Sequence, residues 1–529
     1  MPLVPLAPFK TPRKAAAART AQVFNIPASV GGLNYRDPIS EMDPKDALIL
    51  NNFIARQQGV EIRKGWQVNT ETISLPVESI FAFKSQQGSA EDRVFAAANQ
   101  RIYDVTTNPA TIVVGATNSD ADEWNTTMFA TPGDTFLLAV SPGAGYWTYN
   151  VTNGWVHRTP TNLPDTVRTV MVWKRRVWFT CENDTQVYYM DDVDAIDGSV
   201  TALPMGSSLR NGGYISALIN WTIDAGFSVD DFMIAVGTEG DIVIWEGTDP
   251  TSADTFRVKG VWYVGPVPRH GTYYTNFGGD VMIVSQAGLV PMSKLVAGQF
   301  NDVQIGPASK IQPVLIKLVN ELLDEKYWSV FPVPSSEVLI ISAPSKAGVY
   351  TQFAMNVVTG AWSTFTNIPM RCTTMLGGQL YFGTFDGRTA KGLYGNTDEA
   401  PLAGGNGNFI QADIQTAFNS FGTPANNKKF GMARPIFIAP TAPSVKVRIN
   451  TQYAFSNVAG SPSYTSTPDA EWDVSIWNVA RWVGDANTYQ AWVGTTGLGY
   501  YAALRMKVRG LPGTVFTSCL QMTELGGVM

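Results

Sequence analysis

Between about residues 93 and 395 the chain repeats one pattern seven times: a short apolar run, a polar or glycine-bearing turn, then a second apolar run that often ends in Tyr or Trp. The segments are RVFAAANQRIYDV (93–105), TFLLAVSPGAGYWTYN (135–150), RRVWFTCENDTQVYYM (175–190), DFMIAVGTEGDIVIWEG (231–247), GDVMIVSQAGLVPM (279–292), EVLIISAPSKAGVYTQFAMN (337–356) and QLYFGTFDGRTAKGLYG (379–395). Their starts lie 40 to 58 residues apart. A hairpin recurring at that interval is the sequence form of a β-propeller blade. A single blade cannot bury both its faces, so blades stack radially and share a core, which explains the supply of β-branched and aromatic residues. A row of β-sandwiches also spaces short strands evenly. Seven similar hairpins with no Pro-rich linker between them favour the propeller.

The rest of the chain sorts around this array. An extended arm, 1–23, carries Lys10, Arg13, Lys14 and Arg19 and no acidic residue. The formal charge of −6 therefore divides into +4 on the arm and −10 on the remainder. Four prolines stand before residue 13 and the charges follow the apolar part, the reverse of a signal peptide's order, so it reads either as a disordered, soluble tail or as an arm that docks on an acidic neighbour or on nucleic acid. Segment 24–74 is expected to hold a short helix: Asp43 caps, Pro44 takes the first helical position, Asp46 adds charge to the first turn, and Ala47, Leu48, Leu50 and Ile54 follow before Gly59. Val60, Ile62 and Trp66 then alternate like a strand, with a break at Lys64–Gly65. The propeller is expected over 75–400. It is interrupted by a helix at about 309–325, where Ile311, Val314, Leu315, Leu318 and Leu322 fall on one face. Glycines at 401–408 mark a boundary, and 409–529 reads as a C-terminal β-sandwich-like domain. The fold class is thus mainly β: a propeller of six or seven blades with an inserted helix, a sandwich-like domain and an extended arm.

Composition narrows the chemistry. Charged residues are 16% of the chain, below the roughly 25% of an average soluble domain. A mildly acidic body does not wrap nucleic acid with its whole surface. Cys181, Cys372 and Cys519 are odd in number and far apart, as expected of reduced, buried thiols rather than a disulfide framework. No stretch reaches the 18 or so apolar residues of a membrane span. His157 and His270 sit in turn-like settings without a motif partner, and no G-x-S-x-G elbow or phosphate-cradling loop occurs. The acidic run 191–198 misses the calcium-loop register, because Ile196 stands at the fifth position from Asp192 and Asp197 at the sixth. It reads as an Asp-rich turn between blades. No catalytic residue, cofactor or metal ligand is expected.

One ordered block is more specific than any catalytic motif. Gly31, Gly32, Leu33 and Asn34 are followed by Arg36 and Asp37, then Met42, then Ala47 and Asn51–Phe53, and finally Val60–Trp66 with Arg63 and Gly65. This block resembles the opening of tail proteins of short-tailed, podovirus-type phages: the nozzle, or packaged-DNA stabilisation, family. The segments MNVVTGAWSTFTNIP (355–369) and LYFGTFDG (380–387), the EWDVSIWN stretch (471–478), the late Gly–Leu–Gly (497–499) and the closing ELGGVM are similar to that family's propeller and ending. The resemblance implies structural work, not catalysis. It implies a homohexameric ring below the portal and its head-to-tail adaptor, in the virion tail, made in the host cytoplasm. Such a ring extends the channel for genomic DNA without sequence-specific binding, retains packaged DNA and docks a tail fibre or plug protein. Lys10, Arg13, Lys14 and Arg19 are the candidate docking residues. Gly31, Gly32 and Asn34 are expected to shape a turn around which Arg36, Arg63 and Trp66 pack or pair. Competing readings are a receptor-binding or glycan-degrading tail propeller and a cellular propeller scaffold. Polar loops at 106–134 and 455–470 are candidate fibre docks.

Overall fold

The structure, a computed structural model, describes residues 21–73, 75–117, 123–224, 229–252, 254–298, 308–346, 349–405, 407–464 and 487–528. The docking candidates Lys10, Arg13, Lys14 and Arg19, and the EWDVSIWN stretch, lie outside the described residues.

All seven repeated segments are hairpins, and each supplies the second and third strands of its own antiparallel sheet. Blade 1 runs Ser79–Phe83, Arg93–Ala98, Arg101–Asp104 and Thr111–Val114. Blade 2 begins at Asn125–Ala130, blade 3 at Val167–Trp173 and blade 4 at Ile215–Asp224, and each has four strands in meander order. Sheet 5 has three strands, Tyr274–Phe277, Asp280–Ser285 and Gly288–Pro291, against which α1 (Met292–Val296) and α2 (Gln312–Glu321) pack. Blade 6 comprises Ser329–Val333, Val338–Lys346, Val349–Asn356 and Trp362–Phe365. Blade 7 comprises Cys372–Leu376, Gln379–Gly383 and Thr389–Gly392, and its fourth strand is Trp66–Thr70 from the start of the chain. The result is six four-stranded blades and one three-stranded sheet.

Apolar clusters fill the spaces between neighbours and close the circle. Phe81, Phe95 and Leu137 join blades 1 and 2, and Leu138, Val140, Val177 and Phe179 join blades 2 and 3. Trp178, Met233 and Val243 join blades 3 and 4. Phe331, Ile340, Leu380 and Phe382 join blades 6 and 7, and Val77, Val94 and Ala96 meet Cys372 and Tyr381 where blade 7 returns to blade 1. The inserted helix lies where its periodicity placed it, with Leu315 and Val319 buried.

Two further sheets form a sandwich. The first is ordered Asn487–Gln490, Asn426–Ala439, Val515–Val528, Gly59–Ile62, Phe53–Arg56, with Ala21–Pro27 added to Val515–Val528 and Val493–Gly499 to Asn426–Ala439. The second continues outward from blade 6 through Asp46–Asn51, Gln411–Thr416, Ala502–Arg509 and Ser444–Thr451. Leu50, Ile414, Leu504 and Met506 of one sheet and Ala433, Phe437 and Phe516 of the other share one core.

Several expectations change. The helix expected after Asp43 is replaced by the strands Asp46–Asn51 and Phe53–Arg56. Asp43 does accept the Lys45 backbone N–H at 2.8 Å, but in a tight turn that the Asp43 carbonyl closes by accepting from Asp46 at 2.9 Å. The same carboxylate geometry serves helix caps and turns. Strand pairing wins because Asp46–Asn51 is buried on both faces between two sheet neighbours. Segment 24–74 is likewise no separate unit, since its strands are shared among the sandwich and blade 7. His157 lies in the outer strand Gly154–Arg158, its ring 4.8 Å from that of Trp147, not in a turn. The Asp-rich run joins two strands within blade 3 rather than two blades: Asp191 accepts from Ser199 and Thr201, Asp194 pairs with Arg175 and Asp197 with Arg158.

Candidate functional site

Because every sheet begins with its axial strand, the residues just before or at those strands converge on one end of the propeller axis. Glu78 precedes blade 1, Glu123 blade 2, Tyr327 blade 6 and Arg371 blade 7, while Arg168 opens blade 3 and His270 precedes sheet 5. They form two cross-blade clusters. In the first, Arg371 Nη2 donates to Glu78 at 2.5 Å and to Tyr327 Oη at 2.6 Å, and Tyr327 donates its own proton to Glu78. Burial, reinforced by the Glu78 carboxylate, pushes the Tyr327 phenol up, so it stays a donor. Tyr327 holds φ at 75°, a region that aromatic residues enter only under constraint.

In the second cluster His270 Nδ1 lies 3.0 Å from Glu123 and 3.1 Å from Arg168 Nη2, and Glu123 also accepts the Gly271 N–H. One ring nitrogen cannot donate and accept at once. Burial pushes the Glu123 carboxyl up, but the His270 hydrogen bond and the Arg168 charge together hold it below its usual value. The ionised carboxylate accepts a hydrogen bond from Nδ1–H, and Arg168 donates instead to the Arg269 carbonyl. His270, expected in a turn-like setting without a motif partner, thus bonds Glu123 and lies beside Arg168. Two acids and two arginines balance across the axis. The main cavity among these groups is about 160 Å³, room for roughly five waters. The arrangement braces non-adjacent blades at one end of the axis.

The residues of the N-terminal block form two buried junctions rather than one. At the first, Gly32 takes φ 75°, and a Cβ there would run into the Trp362 backbone. The Gly31 carbonyl accepts from Lys310 Nζ at 3.1 Å. Asn34 accepts the N–H groups of Arg36 and Asp37, both at 3.0 Å, and donates to Asp37 at 2.8 Å and to Asp46 at 2.7 Å. Lys310 reaches Asp46 at 2.7 Å, and Arg36 pairs with Asp37 at 2.7 Å. The Arg36 and Asn34 hydrogen bonds hold the Asp37 carboxyl down at about 2.

The second junction centres on Arg63, whose side chain is fully buried. It makes two bonds to Asp398 at 2.7 and 2.8 Å, and further bonds to Asn52, Thr366 and the Lys64 carbonyl. A Cβ on Gly65 would collide with the Thr397 backbone, and Trp66 donates to the Asn367 carbonyl at 3.0 Å. Arg63, Gly65 and Trp66 therefore do not pack around the Gly31–Asn34 turn. Sequence reasoning missed Asp398 and Lys310, whose partners are distant in the chain. The three cysteines are free, and burial pushes each thiol up to about 12. Among the described residues no group of three or more His, Cys, Asp or Glu is placed to hold a metal, and no helix is long and apolar enough to cross a membrane.

No family model and no curated protein matches the chain. Among solved structures it is similar to the computationally designed Ika8 protein, at 12% identity and a TM-score of 0.35, covering 62% of this chain and 99% of that one.

Proposed function

We propose that this chain is a structural virion protein of a short-tailed phage: a nozzle subunit that forms a ring below the portal and adaptor, extends the DNA channel and docks a tail fibre or plug. The observation that carries the reading is the role of the block bearing the resemblance. Segment 21–70 gives strands to both sandwich sheets and to blade 7, so it holds propeller and sandwich in one body. A subunit of a wall that carries load needs such a junction. Two features support the reading further. Ion-paired clusters bridge the blades across one end of the propeller axis, so a DNA passage belongs between copies rather than inside one. The basic arm precedes the strand Ala21–Pro27 of the sandwich in sequence, and its four cations suit an acidic partner such as a neighbouring ring. An acidic body suits a conduit, because a basic wall would hold the phosphates by counterion release.

Reconstruction of the assembly made when the full chain is co-expressed with portal and adaptor proteins from the same genome tests the proposal. The expected result is a six-fold ring on the adaptor with an inner wall that is acidic or neutral. A monomer or trimer that stays apart from the adaptor and cleaves host polysaccharide would establish the receptor-binding or glycan-degrading reading instead.

A further inference from the structure

Between blades 6 and 7, beside the axis, lies a cleft of about 380 Å³, within the range of small-molecule sites. Tyr327, Tyr350, Phe385, Met370 and Pro344 make it largely apolar, and Arg371 is its one deeply set charge. The Arg371 guanidinium is clamped between two rings, 4.3 Å from the Tyr327 centroid and 5.3 Å from that of Phe385. Its Nη2 is committed to Glu78 and Tyr327, whereas Nε and Nη1 are shielded from water and have no hydrogen-bond partner among the described residues. Buried guanidinium N–H groups left unpaired are costly, and the acceptor that suits them best is a carboxylate.

Phe385 is 65% exposed, on a turn whose backbone is braced by the Thr384 hydroxyl to the Arg388 carbonyl at 3.0 Å and by Arg388 to Asp386 at 2.6 Å. A fixed turn presenting an apolar ring to water is the form of a contact residue.

We propose that this cleft binds a small molecule with a ring-shaped body bearing one carboxylate. The Phe385 ring turns aside, the carboxylate accepts from Arg371 Nε or Nη1, and the body packs among Phe385, Tyr350 and Met370. Glu325 and Lys326 offset each other in the lining, and Glu78 already pairs with Arg371, so the cleft carries too little positive charge for a dianion such as a phosphate monoester. The inference is independent of ring assembly.

Calorimetric titration of the full chain tests it with four probes: glucuronate and benzoate, and their neutral counterparts glucose and benzyl alcohol. The expected result is 1:1 binding of at least one carboxylate with a Kd of about 1 mM or tighter, and roughly tenfold weaker binding of its neutral counterpart. Glucuronate alone would identify an acidic sugar, and benzoate alone an aromatic acid. Phe385→Ala, at an exposed site, is expected to weaken binding about tenfold with no change in Tm. Arg371→Lys, which keeps the charge opposite Glu78, is expected to do likewise. The proposal is overturned by no carboxylate binding up to about 20 mM, by equal binding of charged and neutral probes, or by unchanged affinity in Phe385→Ala.

Discussion

Arg63 shows how much of this fold hangs on single buried polar groups. Its bonds to Asp398, Asn52 and Thr366 pin the crossing from the sandwich into blade 7. Replacing it with Met leaves the Asp398 carboxylate buried without its partner, and is expected to cost about 3–5 kcal/mol, read as a lower midpoint in denaturant unfolding. The double variant Arg63→Met/Asp398→Leu is expected to recover a large part of that loss, because no charge is then stranded. Asp37 sets a pH dependence. Its pKa falls from 3.8 to about 2 on folding, so its stabilisation is complete above 3.8 and fades as pH drops towards 2. Thermal unfolding of wild type and Asp37→Asn should therefore differ most above pH 4 and converge near pH 2. An unchanged gap across that window would contradict the Arg36 and Asn34 contacts.

At the scale of elements, the strand Trp66–Thr70 closes the circle. It pairs with Thr389–Gly392, and its Val68 N–H donates to the Ala400 carbonyl at 3.0 Å. Val68→Pro removes that donor from a buried strand and is expected to cost roughly 2–3 kcal/mol. Hydrogen exchange should rise first in blades 7 and 1, on either side of the closure. Uniform exchange across all blades would show that closure is not the weak seam. The middle hairpins were legible in the sequence because the two central strands of a blade are its most apolar and are joined by a local turn. The outer and axial strands were not. Strand Thr111–Val114, for instance, is exposed over Thr111–Val113 and has no apolar alternation. The run after Asp43 misled for a related reason: its turn chemistry is local and shared with helix caps, whereas its sheet partners Trp362–Phe365 and Gln411–Thr416 lie hundreds of residues on.

For the whole molecule, the split between a +4 arm and a −10 body predicts separable functions. Removing residues 1–20 should leave Tm unchanged, because the strand Ala21–Pro27 and its pairing with Val515–Val528 are kept. If the chain assembles onto an adaptor as proposed, that assembly should weaken and become less sensitive to salt, measured by light scattering across an ionic-strength series. Assembly as strong as that of the full chain would remove the arm from the interface.

The sequence by itself determined the class of fold, the position of seven hairpins, the inserted helix and the strand pattern at Val60 and Trp66. Each is written in side-chain alternation and turn residues within about 20 positions, where geometry leaves few choices. Only the tertiary structure decided that the chain's beginning completes its last blade, that the sandwich grows out of blade 6, and that His270, Glu123 and Arg168 meet at the axis. Those contacts join residues with no local pattern in common. They are selected by burial and by the pairing of charges once the ring has closed, and the hydrophobic pattern of a single strand carries no record of its partner.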